Sequence, residues 1–218
     1  TERTCSTSRR TANGRLAGGD SVTLPGTNFV PGAVRITFDG TDATGIVFNS
    51  TTSVTCLTPA HIAATVNVAV TTPGGTVVLN NSFTYWALPT IASINTTAPA
   101  AFGPYGPLAG GNTVTITGTN FVSGATTVTF DLLPATSVVV TGTTSLTCLA
   151  PAHGAQIVDV VVNAPGGPVT ATGGYEYVAA PTAASITPAS GPLAGGQGFS
   201  VTGTNLIPAY TTVNFAAN

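Results

Sequence analysis

The sequence predicts an all-β chain of tandem β-sandwich beads, and three observations carry that expectation. The motif LAGG-x-x-V-T-x-x-GTNFV occupies residues 16–30 and again 108–122, and a looser copy, LAGGQGFSVTGTNLI, starts at Leu193. Residues 16–86 align with 108–178 without a gap, and 37 of those 71 positions are identical, so the unit is a true internal repeat. Val and Thr alternate densely, with 41 Thr in the chain, and no window carries helical spacing through good helix formers. The copies start 92 and 85 residues apart, which is too long for a solenoid unit and suits a small autonomous β domain.

Composition narrows the class. Charged residues are 6% of the chain and hydrophobic ones 43%, too apolar for disorder. A net charge of −2 supplies no field for nucleic acid or an acidic membrane. No apolar run reaches the roughly 18–20 residues that span a bilayer. The Lys-free, Thr- and Gly-rich composition points to a processed, secreted protein.

In chain order, residues 1–15 are polar and basic, an arm with four of the five Arg: Arg3, Arg9, Arg10 and Arg15. Repeat 1 follows at 16–87, with strands expected near 20–25, 32–38, 44–49, 52–57, 64–71 and 76–86. Repeat 2 spans 88–179, with strands expected near 89–94, 112–117, 124–130, 136–141, 144–149, 156–163 and 169–178. Its first strand lies in the segment PT-x-A-SI at 89–94, which recurs at 181–186 and has no counterpart before repeat 1. Repeat 1 is therefore expected to lack its first strand. The GTN stretches at 26–28 and 118–120 read as turns, with Gly at positive φ and Asn bonding its own backbone. The Phe that follows is expected to plug the end of the sandwich. PGG at 73–75 and 165–167 reads as the turn of the last hairpin, and LAGG as a turn with a tight backbone crossing. The linker 87–107 is Pro-rich and stiff. The partial repeat 3, residues 180–218, holds only the first three strands of seven.

Together the segments PT-x-A-SI, GPLAGG, VTITGTNFV, TTVTFD, TSLTCLAPAH, VDVVV, PGG and YEYV resemble the IPT/TIG domain across nearly all of 16–218. The resemblance implies immunoglobulin-like β-sandwiches in tandem, as on bacterial surface proteins, with spacer, adhesion or interaction roles. It carries no catalytic residues and no cofactor.

Few side chains suggest chemistry. His61 and His153 occupy equivalent surface loops, without the ligand set of a metal site. Cys56 and Cys148 are repeat-equivalent strand positions and read as buried thiols. Cys5 is the odd thiol, able to bridge to Cys56 or to another subunit. Asn49, Asn80 and Asn95 fit the N-x-S/T pattern and are candidate glycan sites. Trp86 ends the last strand of repeat 1 and reads as packing against the next bead.

The ragged ends suggest a function. A first repeat short of a strand and a third that begins with that same element fit head-to-tail assembly of identical chains. Segment 181–218 of one copy would complete, or dock on, the first repeat and arm of the next. The expected interface residues are Cys5, Arg9, Arg10 and Arg15 on one side and Ile186, Phe199, Val201, Tyr210, Val213 and Phe215 on the other. The expectation is a non-enzymatic subunit of an extracellular filament, with copies of itself as partner. The alternatives are a cut from a longer tandem-repeat adhesin or spacer, and a polysaccharide-binding module.

Overall fold

A computed structural model describes residues 12–96, 104–207 and 211–215. The described residues form strands and turns and no helix. In the first bead the strands are β1 (Ala12–Arg15), β2 (Ser21–Pro25), β3 (Arg35–Phe38), β4 (Thr41–Asp42), β5 (Thr44–Ser50), β6 (Ser53–Leu57), β7 (Ala64–Thr72) and β8 (Gly75–Trp86). The second has β9 (Thr90–Thr96), β10 (Tyr105–Pro107), β11 (Thr113–Thr119), β12 (Thr127–Phe130), β13 (Leu133–Pro134), β14 (Thr136–Gly142), β15 (Ser145–Leu149), β16 (Gln156–Ala164) and β17 (Gly167–Val178). The third contributes β18 (Thr182–Thr187) and β19 (Ser200–Thr204).

Each bead is two sheets packed face to face. The second pairs β10-β17-β16-β12-β13 in one sheet and β14-β15-β11-β9 in the other; the first pairs β1-β8-β7-β3-β4 and β2-β6-β5. Period 2 selects the core: Val66, Val68 and Val70 of β7 point inward, as do Val158, Val160 and Val162 of β16. Aromatic rings fill the centre edge to face, with Phe38 and Phe83 at 5.0 Å and, in the second bead, Phe130 and Tyr175 at 5.0 Å. Each bead buries its own cluster, so each has an independent core.

The loops follow the repeated motifs. In LAGG, Gly18 and Gly19 have φ of 70° and 76°, and Gly110 and Gly111 have 65° and 76°. A Cβ on Gly18 or Gly110 would run into the backbone of Pro59 or Pro151, the close crossing the motif predicts. Phe29 and Phe121 are buried end plugs. The GTN turn departs from expectation: Asn, not Gly, takes the left-handed conformation, with φ of 62°, 59° and 55° at Asn28, Asn120 and Asn205.

Four short strands were not legible as periodic runs. Among them, β1 pairs in parallel with β8, so residues 12–15 of the expected arm belong to the first bead. β10 does the same against β17. The expected absence of a first strand concerns residues 1–11, which lie outside those described. Among the described residues, β2 has no partner on the edge where β11 receives β9. Among the described residues the third repeat shows two strands and residues 211–215 form none; part of the expected third strand lies outside those described.

Candidate functional site

The least ordinary surface is the β18–β19 hairpin and the residues after it. Ile186, Phe199, Val213 and Phe215 are 38%, 43%, 48% and 72% exposed. Their repeat-2 counterparts Ile94, Val114, Val128 and Phe130 are 0–8% exposed in the core. The same positions face the core in the second bead. Phe199 and Phe215 meet edge to face at 5.1 Å, and Val201 is half-buried between the strands. Single exposed apolar residues are ordinary, whereas these stand close together.

The remaining expected interface residues are placed differently. Arg15 is engaged within its own bead: its Nε donates to Asp20 Oδ1 at 2.9 Å and its backbone N–H to Asp20 Oδ2 at 2.6 Å. Cys5, Arg9, Arg10 and Tyr210 lie outside the described residues. Cys56 and Cys148 are free buried thiols; burial pushes Cys56 up to about 11 and Cys148 up to about 12. The candidate Cys5–Cys56 bridge rests on a residue outside those described. Asn49, Asn80 and Asn95 are exposed on strands; Asn49 Nδ2 donates to Thr55 Oγ1 at 2.8 Å and Asn95 Nδ2 to Ser93 Oγ at 3.2 Å.

Sequence reasoning missed a polar cluster repeated in both beads. His61 stacks on Tyr85 at 4.9 Å and His153 on Tyr177 at 4.9 Å. Nδ1–H of His153 donates to the Gly154 carbonyl at 2.9 Å, and its Nε2 lies 3.3 Å from Asp131 Oδ2. In the first bead Nδ1–H of His61 donates to Ile62 at 2.8 Å, and Nε2 stands 3.6 Å from Asp39. The tyrosine hydroxyls donate to Pro59 and Pro151 at 3.0 and 2.9 Å. Burial pushes Tyr85 up to about 12 and raises Tyr177 as well. The signal was present, since Thr-Phe-Asp and Pro-Ala-His recur at the same separation in both repeats. The cluster clasps the Pro-Ala-His loop to the last strand. No group of three or more metal-ligating side chains occurs among the described residues.

A cavity of about 480 Å³ lies where the second and third repeats meet, lined in part by Tyr105, Asn112, Val178, Asn205 and Thr211. Asn112 Nδ2 donates to the Tyr175 hydroxyl at 2.7 Å, while its Oδ1 is buried without a partner among the described residues. No helix among them is long and apolar enough to cross a membrane.

Two-sheet beads in tandem, joined by short linkers, define a protein of the immunoglobulin-like β-sandwich class. The model of the IPT/TIG domain family matches residues 6–85 and 89–177, and the chain belongs to that family. The first match starts ahead of Leu16, again placing part of the expected arm within the bead. Among solved structures, the plexin A4 extracellular region is 21% identical over 90% of this chain and 17% of its own, with a TM-score of 0.47. A surface glycan-binding protein from Prevotella bryantii is 18% identical over 78% of this chain and 39% of its own, at 0.36. One from a xyloglucan utilization locus of Bacteroides uniformis is 17% identical over 80% and 55%, at 0.35. The chain spans less than two thirds of each of these proteins. A search of curated protein sequences finds no match.

Proposed function

We propose that the chain is a structural subunit of an extracellular filament, with segment 180–218 of one copy docking on the first repeat of the next. The carrying observation is the exposed apolar group of the third repeat. Phe199 and Phe215 stand in water where Val114 and Phe130 stand in a core. Covering such a face is favourable by about 25 cal/mol per Å² of apolar surface. A donor at one end and an acceptor at the other form a heterologous contact, which propagates instead of closing. The first two beads act as the spacer between contacts. Light scattering and electron microscopy of the full chain test the reading, with Phe199→Ser/Phe215→Ser as control. Concentration-dependent polymers that the double substitution abolishes are expected. A chain that stays monomeric at high concentration would sink it.

A second reading, capture of a glycan, is favoured by the junction cavity. Its volume falls in the range of small-ligand pockets, and Asn112 Oδ1 lacks a donor among the described residues. Calorimetric titration with soluble plant and bacterial oligosaccharides decides it: heat lost on Asn112→Ala supports it, and no heat from any of them rejects it.

A further inference from the structure

The second and third repeats receive the chain that leads into them at one and the same place. In the second, Ala87 and Leu88 lie on the Pro-Gly-Gly turn. A Cβ on Gly166 would overlap the Ala87 carbonyl, and one on Gly167 would stand 2.9 Å from Leu88 Cδ2. The Leu88 carbonyl accepts from Asn120 Nδ2 at 2.8 Å. β9 then runs so close to β11 that a Cβ on Gly118 would overlap the Thr90 carbonyl. The third repeat copies this: Asn205 Nδ2 donates to the Ala180 carbonyl at 3.0 Å, and a Cβ on Gly203 would overlap that of Thr182.

The first repeat has the same parts with nothing laid on them among the described residues. Among the described residues, a Cβ on Gly26 would meet the Phe29 ring first, one on Gly74 only Thr72 Oγ1 at 3.6 Å, and one on Gly75 nothing within 4 Å. Asn28 holds the same left-handed turn, φ 62°, with no hydrogen bond for its amide to another described residue. Between these parts runs a groove of about 480 Å³, with Leu24, Phe29, Val70, Val77 and Leu79 on its walls. Val77 and Leu79 are 57% and 39% exposed, while their counterparts Val169 and Ala171 pack on the second core.

We infer that this groove is a socket for residues 180–187 of a second copy. The inference deepens the filament reading and rests on it. The Ala180 carbonyl accepts from Asn28, Thr182–Thr187 pairs along the open edge of β2, and Ile186 fills the place that Ile94 fills in the second bead. β18 uses for this the same edge that holds β19, so it exchanges one partner for another. A lone two-stranded hairpin is marginal in water, which makes that exchange inexpensive. The chain's own arm is a poorer occupant. Ile186 stands seven residues before Leu193, and seven residues before Leu16 is Arg9. Residues 1–11 hold no Val, Leu, Ile or aromatic side chain for the buried place of Ile94, and in that register Arg9 would bring a charge to it.

The test is fluorescence anisotropy of a labelled peptide of residues 178–188 titrated with the full chain, kept dilute enough to be dispersed. Saturable binding is expected. Ile186→Asp in the peptide should weaken it at least about tenfold, the loss that follows from one unburied aliphatic side chain. Asn28→Gly in the chain, which keeps the left-handed turn and removes the amide, should also weaken it. Binding by neither the full chain nor a chain lacking residues 1–11 overturns the socket. Binding only after 1–11 are removed overturns it too, since the arm is then the occupant. The two readings separate cleanly: peptide binding by a chain that never polymerises supports the socket and rejects the filament, whereas polymers indifferent to excess peptide reject the socket alone.

Discussion

Asn112 and Tyr175 are joined by a hydrogen bond of 2.7 Å that the first bead replaces with a different solution. There Asp20 stands for Asn112 and Phe83 for Tyr175, and the carboxylate turns to Arg15 at 2.8 Å. The two sites are alternative ways to satisfy a polar group beside the strand that pairs with the end of the last one. The second bead has Pro107 where the first has Arg15, so it holds no cation to offer.

Tyr175→Phe should therefore cost about 1–3 kcal/mol, the price of leaving a buried amide donor without its acceptor. Adding Asn112→Asp should worsen the loss, since the carboxylate finds no arginine. Adding Pro107→Arg to that pair should restore part of it. Urea unfolding of the four proteins measures each step, and a triple variant no better than the double one would contradict this account.

The strands were legible wherever one side of a strand meets a core. Val114 and Ile116, or Val66 and Val68, alternate with Thr because only one face is dry. β1 and β10 were not legible, since a short parallel pairing at a sheet margin imposes no period: Ala12–Arg15 buries one side chain position in four. Val213 and Phe215 repeat the pattern of Val128 and Phe130, which β12 holds in strand form through its pairing with β16. The Asp–His clasp is formed by residues 22 apart that meet only through the fold.

That clasp makes an unequal prediction. His153→Ala removes the stack on Tyr177 and the bond to Gly154, and should cost about 1–2 kcal/mol. Asp131→Asn should cost less than about 1 kcal/mol, because the Asp131 side chain is 51% exposed and a solvated ion pair contributes little. Asn also tolerates the φ of 45° at that position. Thermal melts of both variants decide it; an Asp131→Asn loss as large as that of His153→Ala would mean the charge, not the stack, fastens the loop.

The buried thiols and phenols set an alkaline limit. Cys56, Cys148 and Tyr85 titrate higher folded, at about 11, 12 and 12, than their ordinary 9.0 and 10.0. Above the ordinary values the unfolded chain ionises and the folded one does not. Their contribution is thus whole below pH 9.0 and is lost as pH rises through about 11–12. Urea midpoints should hold to pH 8.5 or so and fall steadily beyond it. In a Cys5→Ser chain, a thiol reagent at pH 8 should find no reactive group until denaturant is added. Prompt labelling of the native protein would show that the beads open on the timescale of the assay.

Gly26 and Gly118 occupy the same place in two beads and should respond oppositely to the same change. At Gly118 a Cβ overlaps the Thr90 carbonyl, an atom of backbone held by the β9–β11 pairing, so Gly118→Ala must push the first strand off its neighbour. A loss of about 2–4 kcal/mol follows, the scale of overpacking with broken strand bonds. At Gly26 the atoms nearest a Cβ are those of the Phe29 ring, the closest of them, 2.6 Å away, being the far end of a side chain able to tilt. Gly26→Ala should cost about 1 kcal/mol or less in the dispersed chain. In polymers the two positions become alike, because a strand laid on β2 brings a carbonyl to Gly26 as Thr90 does to Gly118. Gly26→Ala should then leave the melting of the dispersed chain nearly unchanged and abolish assembly. A variant that melts normally and polymerises normally would show that the open edge of β2 is not where the chains meet.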